Sequence, residues 1–140
     1  MEVKMTPSEA REFVAAHHHA VLATYRRDGS VQMSPVAAGV DGTGRVIVST
    51  RSGAAKTANL RRDHRAALLS FTDRFFGPWA IVRGTVEIVE LPTAMPLLEE
   101  YYRQVSGEHP DWQEYRDAMV KERRVMLQLT ISDAGPSPAG

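Results

Sequence analysis

The 140-residue sequence contains no cysteine. Disulfides, thiolate metal centres and cysteine nucleophiles are therefore excluded, and thiols say nothing about the redox compartment. Neither sign of charge is in excess, since 17 basic residues balance 17 acidic ones. A duplex-binding surface usually shows a basic surplus, so nucleic acid is not the expected partner. No stretch approaches the ~18 consecutive apolar residues of a membrane-spanning helix. The start of the chain, with Glu2, Glu9 and Glu12, is amphipathic and acidic rather than the basic start of a secretory signal. A cytoplasmic protein without a membrane partner is the expectation. Reactive constellations are also missing. No Ser-His-Asp arrangement or paired-carboxylate spacing emerges, and Gly42-Thr43-Gly44 lacks the third glycine and following helix of a dinucleotide fingerprint. This poverty fits a protein whose bound cofactor does the difficult chemistry.

What is present is one globular domain's worth of alternating elements. A chain of this length buries about two-thirds of its unfolded surface, so an oligomer covering an open face is no surprise. Thr6-Pro7-Ser8-Glu9 opens a helix with a capping box, and the helix ends by His19. Strand-like segments follow at 20–25 and 31–40, joined by the Arg27-Asp28-Gly29-Ser30 hairpin turn. Pro35 cannot donate to a ladder, so it marks an edge, a bulge, or a place where something else approaches the backbone. A turn at Asp41-Gly42-Thr43-Gly44 leads to a strand over 45–51. A short helix over 52–63 has Ser52 or Gly53 near its N-cap. Strands over 65–71 and 79–89, helices over 93–106 and from Asp111, and a strand over 124–131 complete the pattern. Residues 1–132 read as the domain and the Gly/Pro/Ser-rich 133–140 as a loose tail. Periodicity does not separate a closed barrel from an open α+β sheet.

The segment from Val48 to Arg65 carries most of the chemical signal. A helix N-terminus offers unpaired N–H groups and partial positive charge. Hydroxyls at Ser49, Thr50 and Ser52 and the charges of Arg51 and Lys56 add to it, a set suited to phosphate; a solvated basic helix is the plain alternative. His17, His18 and His19 are adjacent, so on a helix they splay about 100° apart and do not converge on a metal. Trp79, at a loop–strand junction, reads on composition as a core residue. Tyr101, Tyr102, Trp112 and Tyr115 read as packing, and Arg123-Arg124 as solvated.

Asp28-Gly29-Ser30-Val31-Gln32-Met33-Ser34-Pro35-Val36 resembles the signature hairpin of the pyridoxamine-phosphate-oxidase-like split barrels. Lys56-Thr57-Ala58-Asn59-Leu60-Arg61-Arg62-Asp63 is similar to the cofactor helix of their deazaflavin (coenzyme F420) branch. The stretch from Tyr102 through Gly107-Glu108-His109-Pro110-Asp111-Trp112 to Arg123-Arg124-Val125 is similar to the C-terminal half of mycobacterial members. The resemblance implies a mainly β fold, a six-stranded antiparallel split β-barrel of the FMN-binding type with peripheral helices. It implies a homodimer with two cofactor sites at its interface. The deazaflavin ring would lie against Met33, Ser34, Pro35 and Val36. Its phosphate would sit near Ser49, Thr50, Arg51, Ala55, Lys56 and Asn59, and its acidic tail toward Lys56, Arg61 and Arg62. Trp79 would wall the site, with Phe75, Phe76 and the helices after Pro92 above the ring. The implied activity is hydride transfer from reduced F420 to a small organic acceptor, planar and apolar. FMN as the cofactor, or a non-catalytic F420-binding protein, are the alternatives. Family members often carry Arg where Ala54 stands, and Arg51 is the residue placed to replace that contact.

Overall fold

The computed structural model describes residues 5–74 and 76–136. Helix α1 (Pro7–Ala16) begins with the expected box: Thr6 Oγ1 accepts from Glu9 N–H, and Glu9 Oε1 accepts from Thr6 N–H. It stops at Ala16, so the three histidines lie beyond it, and β1 (His19–Tyr25) already starts at His19. The Asp28 carboxylate caps the following turn by accepting from the Ser30 backbone and hydroxyl, while Gly29 supplies its positive φ of 85°.

The expected return strand is broken. It forms β2 (Val31–Ala37) and β3 (Gly39–Val40), with Ala38 buried at the bend. β4 (Val46–Arg51), α2 (Ala55–Arg62), β5 (Arg65–Phe71), β6 (Trp79–Val89), α3 (Met95–Ser106), α4 (Trp112–Lys121) and β7 (Arg124–Gly135) follow. The sheet runs β2-β1-β5-β6-β7-β4-β3, every pair antiparallel. Its two end strands are consecutive in the chain, so the sheet must curl until they meet. Seven strands are thus the six-stranded barrel with one strand bent: β2 bonds to β1, and β3 bonds to β4. β7 is longer than its alternating core predicts. Asp133, Ala134 and Gly135, expected in the tail, pair with Arg83, Val82 and Ile81, because Ala134 is buried against β6. Residues 137–140 of the expected tail lie outside the described residues.

Alternation sorts the side chains into an inside and two outsides. Ala20, Leu22, Val46, Val48, Leu68, Val82, Val125, Leu127 and Leu129 fill the barrel, joined by Ala10 and Val14 from α1 and Leu60 from α2. On the outer face of β4 and β7, Ile47 and Met126 pack under Leu98, Tyr115 and Met119 of α3 and α4. Asp111 caps α4 by accepting from Glu114 N–H, and Gly107, with φ 84°, ends α3 as the sequence predicts. Among the described residues no helix covers the middle of the outer face of β2, β1, β5 and β6. Among the described residues no helix is long and apolar enough to cross a membrane.

Candidate functional site

The unusual backbone is the β2 edge. Arg26 N–H donates to Ser30 O and Ala38 N–H donates to His18 O, each at 2.8 Å, so the even-numbered peptide groups of this strand face β1. The odd-numbered groups face away, where β2 has no strand neighbour. Pro35 stands on this free side, and its missing N–H takes nothing from the ladder. Met33 N–H and the carbonyls of Met33 and Pro35 share that edge, apart from a 3.4 Å approach of Gln32 Nε2 to Met33 O. The edge reading of Pro35 is therefore the right one of the three.

Side chains of β2 alternate with the same logic. Met33 and Pro35 point outward and are exposed, Met33 to 66%. Gln32, Ser34 and Val36 stand opposite Thr24, Leu22 and Ala20, all buried. Ser34 Oγ is buried and, among the described residues, has no hydrogen-bond partner. A buried hydroxyl left unpaired is unfavourable by about 1–3 kcal/mol, so a polar partner is missing there.

Three side chains lock the bend after β2. His18 Nδ1 lies 2.7 Å from Ala38 O, and Tyr101 Oη donates to Ala37 O at 2.8 Å. Gln104 pairs with both peptide groups of Val40, accepting from its N–H at 3.0 Å and donating to its carbonyl. Burial raises the Tyr101 phenol above its ordinary range, against opposing effects of the Ser49 backbone and Arg124. Tyr101, read from sequence as packing, therefore joins β2 to β4. Its helical spacing gave no sign of that.

The expected phosphate cluster is divided by the pleat. Val46, Val48 and Thr50 of β4 turn into the barrel, while Ser49 and Arg51 turn outward and Arg51 is exposed. α2 starts later than expected: its N-cap is Ala54, and no side chain caps it. Neither Ser52 nor Gly53 serves, because Ser52 N–H is drawn to Arg123 O and Ala54 N–H to Arg51 O in the preceding turn. Ala55 is exposed and Lys56 half-buried, and among the described residues Lys56 has no carboxylate partner. Thr57 Oγ1 donates to Arg51 O and so ties α2 to the end of β4.

Asn59 is buried in a polar chain. It donates to Thr24 Oγ1 at 3.1 Å and accepts from Arg62 at 3.2 Å, and Thr24 Oγ1 donates to Gln32 Oε1 at 3.3 Å. Arg62 also donates to Tyr25 O, and Arg61 is held by Glu90 and Ser52. The structure thus sets Ser49 and Arg51 on the outer side of β4 and Thr50 on its inner side, with Ala55 and Lys56 at the start of α2 and Asn59 buried within it. Sequence reading missed Arg123 and Arg124 there. Arg123 accepts the Ser52 N–H, and Arg124 and Arg51 share Glu122 at 2.9 and 3.5 Å. Only the pairing of β4 with β7, which sets Arg51 opposite Arg124, reveals this.

Trp79 is apart from β2 in the same protomer. β1 and β5 lie between them, three strand spacings or roughly 14 Å. Trp79 is 39% exposed, at the mouth of a cavity of about 500 Å³ lined by Leu69, Phe71, Thr72, Asp73 and Gly77. It is not the core residue that composition suggests. Phe75 lies outside the described residues. His17 stacks on Phe13, and no group of three or more metal-ligating side chains occurs among the described residues.

A family profile described as pyridoxamine 5'-phosphate oxidase matches residues 6–135. A conserved hypothetical protein of Mycobacterium tuberculosis superposes with a TM-score of 0.76 at 24% identity, over 93% of this chain and 82% of that one. An F420 reductase superposes with a TM-score of 0.69 at 21% identity, over 93% and 98% of the two chains. A FAD-binding protein of Mesorhizobium loti does so with 0.65 at 13% identity, over 98% and 96%. At these identities the structural likeness speaks for the fold. With nearly every residue from α1 to the end of β7 inside the family match, the chain belongs to the pyridoxamine 5'-phosphate oxidase family of split barrels.

Proposed function

We propose that this protein is an F420-dependent oxidoreductase that works as a homodimer on a planar, apolar organic acceptor. The observation that carries the reading is the open β2 edge with the buried, unpartnered hydroxyl of Ser34 beside it. A heteroaromatic ring with a polar rim satisfies such an edge. Met33, Ser34, Pro35 and Val36 would hold that rim, and Ser49, Arg51, Ala55 and Lys56 the phosphate at the uncapped start of α2. Thr50 and Asn59 would support this surface from inside, Asn59 by fixing Arg62 and the Thr24–Gln32 pair. The bound deazaflavin would supply the hydride. The chain's task is to fix the ring face, exclude water and anchor the phosphate away from the reacting carbon.

The bare outer face supports the homodimer. Val21, Met33, Pro35, Leu69 and Ile81 line an apolar depression of about 540 Å³ that no helix covers. A second copy would bury it and would bring its Trp79 toward a site that the first copy's Trp79 does not reach.

FMN is the second reading. Arg61 and Arg62 are already engaged by Glu90, Ser52 and Tyr25 O, which leaves Lys56 alone to attract an acidic tail, and FMN has none. Parallel titration with F420 and FMN at low and moderate salt separates the two. Tighter F420 binding that weakens with salt supports the first reading. Tighter FMN binding selects the second, and binding of neither sinks both. Arg51→Ala is expected to weaken F420 binding about tenfold, in line with loss of one charge-assisted phosphate contact; unchanged affinity removes Arg51 from the site.

A further inference from the structure

The seam where the curled sheet closes zips for a short way and then stops. Asp41 N–H donates to Arg45 O at 2.9 Å, and Gly39 pairs with Ile47. The odd-numbered peptide groups on this stretch therefore face β4. Two residues further along, the same register sets Ala37 opposite Ser49, a pair whose N–H and C=O groups a continued ladder would bond directly. The ladder does not include that pair. Instead, Ala37 O accepts from Tyr101 Oη at 2.8 Å, and the Ser49 backbone is hydrogen-bonded to the same phenol. Two such bonds meeting at one tetrahedral oxygen hold Ala37 O and Ser49 N about 4.5 Å apart, where a ladder bond would draw them to about 2.9 Å.

Tyr101 is held from behind. Its ring packs against the cluster of Ile47, Leu98, Tyr115 and Met126. Gln104, three residues on and so on the same face of α3, takes both peptide groups of Val40 on the other side of the strand. A Cβ on Gly39 would meet Gln104 Oε1 at 2.9 Å, so α3 lies tight against the bend.

Beyond the phenol the two lips of the seam differ. Arg51 O, next in line on β4, is satisfied by Thr57 Oγ1 and Ala54 N–H. Pro35 stands across from it in the same register and has no N–H to offer. The β2 lip is the open one, from Pro35 to Met33.

We infer that Tyr101 is a positioning residue, a wedge whose hydroxyl stops the β2–β4 seam from zipping past Gly39 and Ile47 and so fixes where the open edge at Pro35 begins. As a wedge it stands on this geometry. As a determinant of cofactor affinity it rests on the oxidoreductase reading above, in which the polar rim of a ring meets that edge.

The test compares Tyr101→Phe with Tyr115→Phe in the full-length protein. Tyr115 is the control, since its hydroxyl donates to Leu98 O within the helical layer. Each variant loses one phenol hydroxyl and keeps its ring, and only Tyr101→Phe removes the wedge. A through-hydrogen-bond NMR coupling between Ser49 N and Ala37 C′ is expected in Tyr101→Phe and absent from the parent and from Tyr115→Phe. F420 and FMN are titrated into the same samples. The cofactor that binds the parent should bind Tyr101→Phe at least tenfold more weakly, and Tyr115→Phe within twofold of the parent. A coupling already present in the parent, or one that does not appear in Tyr101→Phe, overturns the wedge. A closed seam with unchanged affinity, or an equal loss in Tyr115→Phe, overturns its part in cofactor binding. If neither cofactor binds the parent, the oxidoreductase reading falls and the coupling alone decides the wedge.

Discussion

Single residues here are explained by what their polar atoms touch. Asp41 is buried at the turn before β4, where its carboxylate accepts from Thr43 N–H, the Thr43 hydroxyl, Arg45 N–H and Gln128 Nε2. Burial works to raise its pKa, but these hydrogen bonds and the charge of Arg45 outweigh it and hold the group below the ordinary carboxylate range. A depressed folded pKa means stability that is present above the unfolded value and lost as pH falls through the folded one. Asp41→Ala is expected to destabilise by about 3 kcal/mol at neutral pH, because several buried donors lose their acceptor. Urea unfolding measures it. The gap between the variant and the parent should narrow below about pH 4, near the unfolded carboxylate value. Ser34 is the opposite case, a buried hydroxyl without a hydrogen-bond partner among the described residues.

Elements show where local sequence chemistry prevails and where it yields. α1 and α4 begin at the capping residues that their sequences advertise, Thr6 and Asp111. α2 does not, because the turn before it spends its N–H groups on Arg123 O and Arg51 O and leaves Ala54 at the cap. Ala54 has extended backbone angles suited to a capping hydroxyl. Ala54→Ser should therefore raise stability by about 1 kcal/mol, seen as a higher urea midpoint with an unchanged slope. The same hydroxyl would occupy a helix N–H that the proposed site offers to phosphate, so on that proposal cofactor affinity should fall as stability rises. In the β6–β7 ladder, the register shifts between Arg83 and Gly84, and a Cβ on Gly84 would meet Thr130 O at 1.8 Å. A backbone atom cannot swing aside. Gly84→Ala should destabilise by about 3 kcal/mol or more, which thermal unfolding will register as a large fall in Tm.

At the scale of the molecule, two outer faces of one barrel meet different fates. α3 and α4 cover β4 and β7, and among the described residues no helix covers the apolar depression on β2, β1, β5 and β6. If a second copy covers them, Met33→Asp at the exposed centre should halve the sedimenting mass while far-UV circular dichroism stays the same. A mass already that of one chain in the parent, or unaltered by the substitution, removes the homodimer.

The local signals were sufficient for most of the chain. Asp28-Gly29, the Thr6 and Asp111 caps, and the period-two runs in 79–89 and 124–131 act over a few residues, so one sequence determines the elements they start, stop and orient. The motifs of 28–36 and 56–63 determined the family for the same reason: each is a contiguous piece of backbone chemistry. What the tertiary structure decided is long-range. The bend at Ala38 is held by His18, Tyr101 and Gln104, residues up to 64 positions from their partners. Asn59 is tied to Thr24, 35 positions away, and Arg51 meets Arg124 only across the β4–β7 pair. Hydroxyls and charges that adjoin in sequence were separated by the pleat, since alternation sends Thr50 inward and Ser49 and Arg51 outward. Sequence determined which groups the chain possesses; closure of the sheet decided which of them share a surface, because only strand register brings distant side chains within a hydrogen bond of each other.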